Sequence, residues 1–279
     1  MRRSLPSVFL SSLFLVGILF AQQGPHQFHP GFNLFSPQQD VQLGQEQAAQ
    51  VRKQMTVIND PFLTNYVNEI GKRLAAAPEA KNSGFPFTFQ VVADPTINAF
   101  ALPGGPMFIN TGLLKAVDNE AQLAGVMGHE MSHVILRHGT NQASKQELFS
   151  LPAVLGQQMA GGSMLGQLAS LGLGFGTNSL FLKFSRSAES QADLTGSHLM
   201  AESGYDPVQM AKFFEKLSGS GAPPQFMSDH PNPENREKAI QEEVARMPQR
   251  TYSYQTGDFA KMKQIAAKIH EPKPKPAAP

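Results

Sequence analysis

His129 and His133 stand four residues apart in Gly128-His129-Glu130-Met131-Ser132-His133. On an α-helix that interval projects both imidazoles from one face, one turn apart. Two imidazoles so placed can share one Zn²⁺, each nitrogen about 2.0–2.1 Å from the ion. Glu130 lies beside the first histidine, where its carboxylate can reach an activated water without binding the ion. A Lewis acid, a water of lowered pKa and a general base are the parts a metal-assisted hydrolase needs. The competing reading is a buried helix with two incidental histidines.

Such sites commonly use three protein ligands and keep the fourth position for water. The segment Arg186-Ser187-Ala188-Glu189-Ser190-Gln191-Ala192-Asp193 offers the third. Glu189 and Asp193 share a face of the expected helix, so Glu189 can complete a His₂Glu set. Asp193 can then accept a hydrogen bond from the far nitrogen of a ligand histidine, fixing its tautomer and raising its basicity. Carboxylates at this spacing also occur on solvated helix faces, so the segment counts only together with the histidine pair. His26 and His29 fall in an irregular leader and read as solvated. His138, five residues beyond His133, lies off the metal face and reads as a helix-end or packing residue. His198 is set aside on the same ground, and Arg186 reads as a partner for a carboxylate or a substrate carbonyl.

The histidine pair needs a helix to hold it. Asp118 or Asn119 can cap its start, Glu120 favours the positive end of the dipole, and Gly139 follows the last turn. Leu123, Val126, Met127, Val134 and Ile135 supply an apolar face. Upstream, a glutamine-rich helix is predicted from Ser36-Pro37 to about Met55, and an amphipathic one after the Asp60-Pro61 cap, with Leu63, Val67, Ile70 and Leu74 inward. Phe87 to Ala93 reads as a strand, and Asn98–Leu102 and Met107–Asn110 as short extended stretches around a Pro103-Gly104-Gly105 turn. The exposed edge of such a small sheet can align an extended peptide through backbone hydrogen bonds. Further helices are predicted from Lys183 to Gly204, after Asp206-Pro207, after Asn232-Pro233 and over about 257–270. Residues 140–182 are rich in Gly, Met, Leu, Gln and Ser and almost uncharged. They read as one or two loosely packed helices, a mobile cover for the site or a partner-binding segment; a membrane-touching hairpin and ordinary core are the alternatives.

The 279 residues allow one sizeable domain, and a net charge of +1 with no basic cluster gives no reason to expect nucleic acid as a partner. Cysteine is absent, which excludes disulfides, thiolate ligands and a cysteine nucleophile. Arg2-Arg3 followed by an apolar run to Ala21 reads as a signal peptide over 1–21, with an uncleaved anchor as the competing reading. The expected address is therefore export to the periplasm, soluble or membrane-associated, with the mature domain over 22–270 and a proline-rich disordered tail over 271–279.

The sequence resembles peptidase family M48, in particular its soluble periplasmic branch concerned with outer-membrane quality control. Asn98-Ala99-Phe100-Ala101-Leu102-Pro103-Gly104-Gly105 is similar to the family's substrate-edge segment, with Thr111-Gly112-Leu113-Leu114 after it. The His129–His133 block, the Arg186–Asp193 block and His230-Pro231 with Arg236 follow in the family's order. The resemblance implies an α+β, mostly helical, zincin-like (gluzincin) domain with a small β-sheet beside the metal helix. It implies one Zn²⁺ on His129, His133 and Glu189, Glu130 as general base, Asp193 behind a ligand, and His230 as an electrophilic helper. Asn98, Ala99, Phe100 and Ala101 would form the substrate edge. No run of tetratricopeptide repeats follows, and multiple spans are lacking. The implied activity is metalloendopeptidase action on misfolded or mislocalised cell-envelope proteins, with outer-membrane assembly machinery as a partner. A zinc-stabilised, chaperone-like binding protein is the alternative, and hydrolysis of a non-peptide envelope substrate a third. His230 admits two roles besides capping a helix near Asn232: a fourth ligand in a covered site, and oxyanion stabiliser in an opened one.

Overall fold

Local signals account for most element starts. The computed structural model describes residues 24–154, 184–219, 225–231, 235–253 and 257–271. The signal peptide, most of the 140–182 segment and all but the first residue of the tail lie outside the described residues. Helix α1 (Pro37–Gln54) opens on a capping box in which Ser36 and Gln39 bond each other's backbone N–H. Helix α2 (Pro61–Ala75) starts at a proline behind Asp60, whose carboxylate accepts from the Leu63 N–H at 2.9 Å. A short helix, α3 (Pro78–Ser83), leads into the sheet.

Strands β1 (Thr88–Val92), β2 (Ala99–Ala101) and β3 (Pro106–Asn110) form one sheet in the order β1-β3-β2. β3 runs parallel to β1 and antiparallel to β2, with Val91 opposite Ile109 and Phe100 opposite Phe108. One face packs Phe89, Val91, Met107 and Ile109 into the main core with Leu63, Val67, Ile70 and Leu74 of α2. The other face packs Phe100 and Phe108 against Ala48 and Val51 of α1. This places β2 at the outer edge, beside the helix that carries the histidines.

That helix follows α4 (Thr111–Ala116) and is α5 (Glu120–Ile135), capped by Asn119 rather than Asp118 through a bond from the Gln122 N–H. All of its residues are buried, so it is a central helix and not the one-faced amphipath its apolar spacing predicts. Its end also differs from expectation. The chain turns at Arg137, whose φ is 56°, and Gly139 already lies inside the next helix, α6 (His138–Val154). Arg137 is held in this left-handed position by Asp40, at 2.6 Å, and by the Phe35 carbonyl. Beyond come α7 (Arg186–Glu202), α8 (Val208–Ser218), α9 (Gln225–Asp229), α10 (Arg236–Val244) and α11 (Phe259–Lys268). Among the described residues no helix is long and apolar enough to cross a membrane.

Candidate metal centre

Two glycines let α5 and α7 meet backbone to backbone. A Cβ on Gly196 would lie 3.1 Å from the His129 amide nitrogen, and one on Gly128 would lie 3.3 Å from the Gly196 carbonyl oxygen. This approach carries Glu189 and Asp193 on α7 up to His129 and His133 on α5. Ser185 caps α7 through the Ala188 N–H, so Glu189 sits in a first turn fixed by its own cap.

Four donors converge there, all buried: His129, His133, Glu189 and His230, with their ligating atoms within 4.8 Å of one another. His129 Nε2 lies 3.1 Å from His133 Nε2 and 3.2 Å from His230 Nδ1. The Glu189 carboxylate lies 3.3 Å from His129 Nε2, 3.5 Å from His133 Nε2 and 3.1 Å from His230 Nδ1. Bonds of about 2.0–2.1 Å to a tetrahedral centre would separate the ligand atoms by about 3.3–3.4 Å. The donor set and its spacing therefore fit a divalent metal ion.

The surroundings support that set. Asp193 Oδ1 takes a hydrogen bond from His129 Nδ1 at 2.9 Å, leaving Nε2 free to face the centre. Arg236 donates from Nε to Asp193 at 2.6 Å and from Nη2 to Glu189 at 3.4 Å, with its guanidinium 4.2 Å over the Phe214 ring. Burial pushes the His129 imidazole down, but Asp193 and Glu189 outweigh it and bring it up to about 9. Burial drives His133 well below its ordinary value, with the neighbouring His129 adding to the effect. Burial raises Glu189, yet hydrogen bonds from His129 and His230 more than reverse this and keep it anionic.

Glu130 faces the same space from the side. Its Oε1 is 3.2 Å from His230 Nε2, and its Oε2 accepts from the Ala101 N–H at 3.3 Å. Burial raises its carboxyl above the ordinary value. The Ala101 contact also joins the sheet edge to the centre. Asn98, Ala99 and Phe100 are buried and only Ala101 is half-buried, so the predicted exposed edge is largely covered. Asn98 Nδ2 reaches Asp229 at 3.5 Å, while its Oδ1 has no partner among the described residues.

The structure thus brings together His129, Glu130, His133, Glu189, Asp193 and His230, with Ala101 beside them. Helix α10 begins at Arg236, and the His230 side chain lies among the donors rather than at that helix's start. Three readings change. His138 is not a bystander: its Nδ1 lies 3.0 Å from His133 Nδ1. His26 is not simply solvated, since its ring and its backbone N–H both bond the buried Glu243. His198 is a buried partner of Glu79 and Glu243. Arg236 was visible as part of a motif, but its bonds to both Glu189 and Asp193 follow only from the packing of α10 on α7.

Comparison with known proteins agrees with this geometry. The model of peptidase family M48 matches residues 61–244, a stretch that includes the histidine pair, the Arg186–Asp193 block and His230. A beta-barrel assembly-enhancing protease of Escherichia coli is 36% identical over 210 residues, covering 71% of this chain and 42% of that protein. Its counterpart in Yersinia pestis is 31% identical over 281 residues, covering 92% and 57%. The mitochondrial metalloendopeptidase OMA1 of Schizosaccharomyces pombe is 33% identical over 183 residues, covering 64% and 52%. The chain spans about half the length of the curated relatives it matches. With a family match over most of its length and a divalent-metal donor set inside that match, the chain belongs to peptidase family M48.

Proposed function

We propose that the chain is a zinc-dependent endopeptidase acting on unfolded or misfolded proteins of the cell envelope. The observation that carries the reading is the buried four-donor set with Glu130 beside it and β2 tied to Glu130 through the Ala101 amide. Zinc bound by His129, His133 and Glu189 supplies a Lewis acid and lowers the pKa of water. Glu130 takes a proton from the attacking water and hands it to the leaving amine. The β2 backbone aligns the peptide from its half-buried Ala101 end, with Asn98–Phe100 uncovered and Ala101 releasing Glu130 when substrate arrives. His230 has two stations: fourth donor in the resting arrangement, and imidazole donor to the developing oxyanion once displaced. The envelope address rests on the signal-like N-terminus and on the names of the bacterial relatives, whose mention of beta-barrel assembly also supports outer-membrane assembly machinery as a partner.

One observation favours a second reading. Four protein donors are the mark of a structural zinc site, so a zinc-stabilised protein that binds envelope clients without cutting them remains the alternative. Zinc analysis and casein degradation by the purified full chain, with and without a chelator, separate the two. Glu130→Gln should keep one zinc per chain and lose casein cleavage by roughly a thousandfold or more. Full cleavage by that variant removes Glu130 as base; zinc without cleavage in the parent protein selects the binding reading.

A further inference from the structure

A metal-binding imidazole works only in the tautomer that leaves its inward nitrogen unprotonated, and something must hold that tautomer. For His129 the device is Asp193, an anionic acceptor on Nδ1. Among the described residues no carboxylate bonds Nδ1 of His133. Its partner is His138 Nδ1 at 3.0 Å, and the other nitrogen of that ring, Nε2, meets Gln191 Oε1 at 3.2 Å.

The proton positions in this chain follow from donor and acceptor chemistry. The Gln191 carbonyl oxygen can only accept, so His138 Nε2 carries a hydrogen and donates it. A neutral His138 protonated at Nε2 presents a lone pair at Nδ1. That lone pair accepts the hydrogen on His133 Nδ1, and His133 Nε2 is left bare and facing the centre. Turning the Gln191 amide over reverses every link. Its NH₂ would donate to His138 Nε2, His138 Nδ1 would donate to His133 Nδ1, and His133 Nε2 would carry a hydrogen that excludes a metal.

We propose that His138 and Gln191 are positioning residues for the metal centre, relaying acceptor character to His133 Nδ1 so that its Nε2 is the metal donor. The inference rests on the reading of the centre as a metal site. Three observations fit it besides the two contacts. Gln191 lies on α7 between Glu189 and Asp193, so the relay is built on the helix that supplies the other partners. The Phe184 ring stacks on His133 at 4.1 Å between centroids, restraining the ring plane that the relay needs. The turn at Arg137 brings His138 back toward His133, although five residues of continuous helix would have carried it away.

Charge explains why an uncharged relay stands where a carboxylate is the commoner choice. Glu130, Glu189 and Asp193 are three buried carboxylates, which Arg236 and a divalent ion together neutralise. A fourth carboxylate behind His133 would leave a buried negative charge without compensation. His138 and Gln191 hold the tautomer and add none.

The test is zinc affinity of the full chain, measured by competition with a chelating dye, alongside unfolding temperature without metal. His138→Phe keeps a ring beside Phe184 and removes the acceptor; Gln191→Leu removes the far end of the relay; His138→Asn restores an acceptor close to the Nδ1 position. The expected result is a loss of about 10–100-fold in zinc affinity for the first two variants and recovery in the third. Asp193→Asn serves as the control on the centre itself. A parent protein that binds no zinc overturns the reading of the centre; zinc lost in Asp193→Asn but unchanged in His138→Phe overturns the relay alone. Ring-nitrogen NMR of the zinc-loaded parent decides the matter whatever the variants' folding. His133 bound through Nε2 with a proton on Nδ1, and His138 protonated at Nε2, agree with the relay. His133 bound through Nδ1, or His138 protonated at Nδ1, refutes it.

Discussion

Four donors converge on one point, yet they are not equivalent, and the difference is one of charge and wiring. Glu189 is the anionic donor, bonded to His129, His230 and Arg236, so its removal strips the centre of a negative charge and leaves the buried Arg236 guanidinium with Asp193 as its remaining carboxylate. His230 comes from the short stretch after α9, and its ring leans on Phe226 at 4.6 Å between centroids. Glu189→Gln is therefore expected to lose bound zinc on dialysis, with affinity down by about 100-fold or more. His230→Ala should retain stoichiometric zinc, because three donors suffice for a catalytic site, while turnover on casein falls. Elemental analysis after dialysis distinguishes the two variants, and a zinc-free His230→Ala protein would make this histidine an indispensable ligand. His129, His133, Glu189 and Asp193 were legible in the sequence because each pair is one helical turn apart and local spacing sets its geometry. His138 was not. Its place depends on the turn at Arg137, which is held by Asp40 and Phe35 from about a hundred residues earlier in the chain.

Among the elements, the apolar period of α2 and the helix starts at Ser36-Pro37 and Asp60-Pro61 could be read directly, since each reports on its own helix. The burial of α5 on every side could not, because it reflects what packs around the helix and not the helix's own pattern. Glycines mark where that packing is closest. A Cβ at Gly125 would lie 2.6 Å from the Met210 Cβ and 2.9 Å from its Cα, so α5 and α8 touch at a point with no room for a methyl group. Helix α8 also carries Phe214, whose ring meets His129 at 5.4 Å. Gly125→Ala gains about 1 kcal/mol of helix propensity but incurs an overpacking cost of roughly 1–3 kcal/mol. The expected net effect is a fall of a few degrees in unfolding temperature, at about 2–4 °C per kcal/mol for a domain of this size, together with weaker zinc binding. A calorimetric scan that shows Gly125→Ala more stable than the parent would mean that α8 moves aside freely.

Taken as a whole, the molecule is also held together away from the metal, at a cluster that ties four parts of the chain. His198 on α7 faces Glu79 on α3 through Nδ1 at 3.2 Å and Glu243 on α10 through Nε2 at 2.7 Å. Glu243 also takes the backbone N–H and ring of His26 from the leader, with Arg246 Nε at 3.8 Å. With a carboxylate on each nitrogen, His198 can satisfy both only as an imidazolium. Burial pushes its pKa down, but the bonds it donates to Glu79 and Glu243 outweigh this and raise it above its ordinary 6.5. The hydrogen bond with His198 lowers Glu79; burial works against Glu243, and its bonds with His26 and His198 lower it nonetheless, both from an ordinary 4.5. The signs then set the window. The histidine's contribution is complete below about pH 6.5 and is lost as pH rises through its raised folded value. The carboxylates' contribution is present above about pH 4.5 and is lost as pH falls through their lowered values. The cluster should stabilise most between these limits. His198→Gln, which keeps polar contacts and removes the charge, is expected to cost about 3 kcal/mol near pH 6. Its deficit in unfolding temperature relative to the parent should shrink as the pH is taken from 6 toward 9. A deficit that stays constant across that range would mean that His198 is neutral in the folded protein, and that α3, α7, α10 and the leader are joined by hydrogen bonds alone.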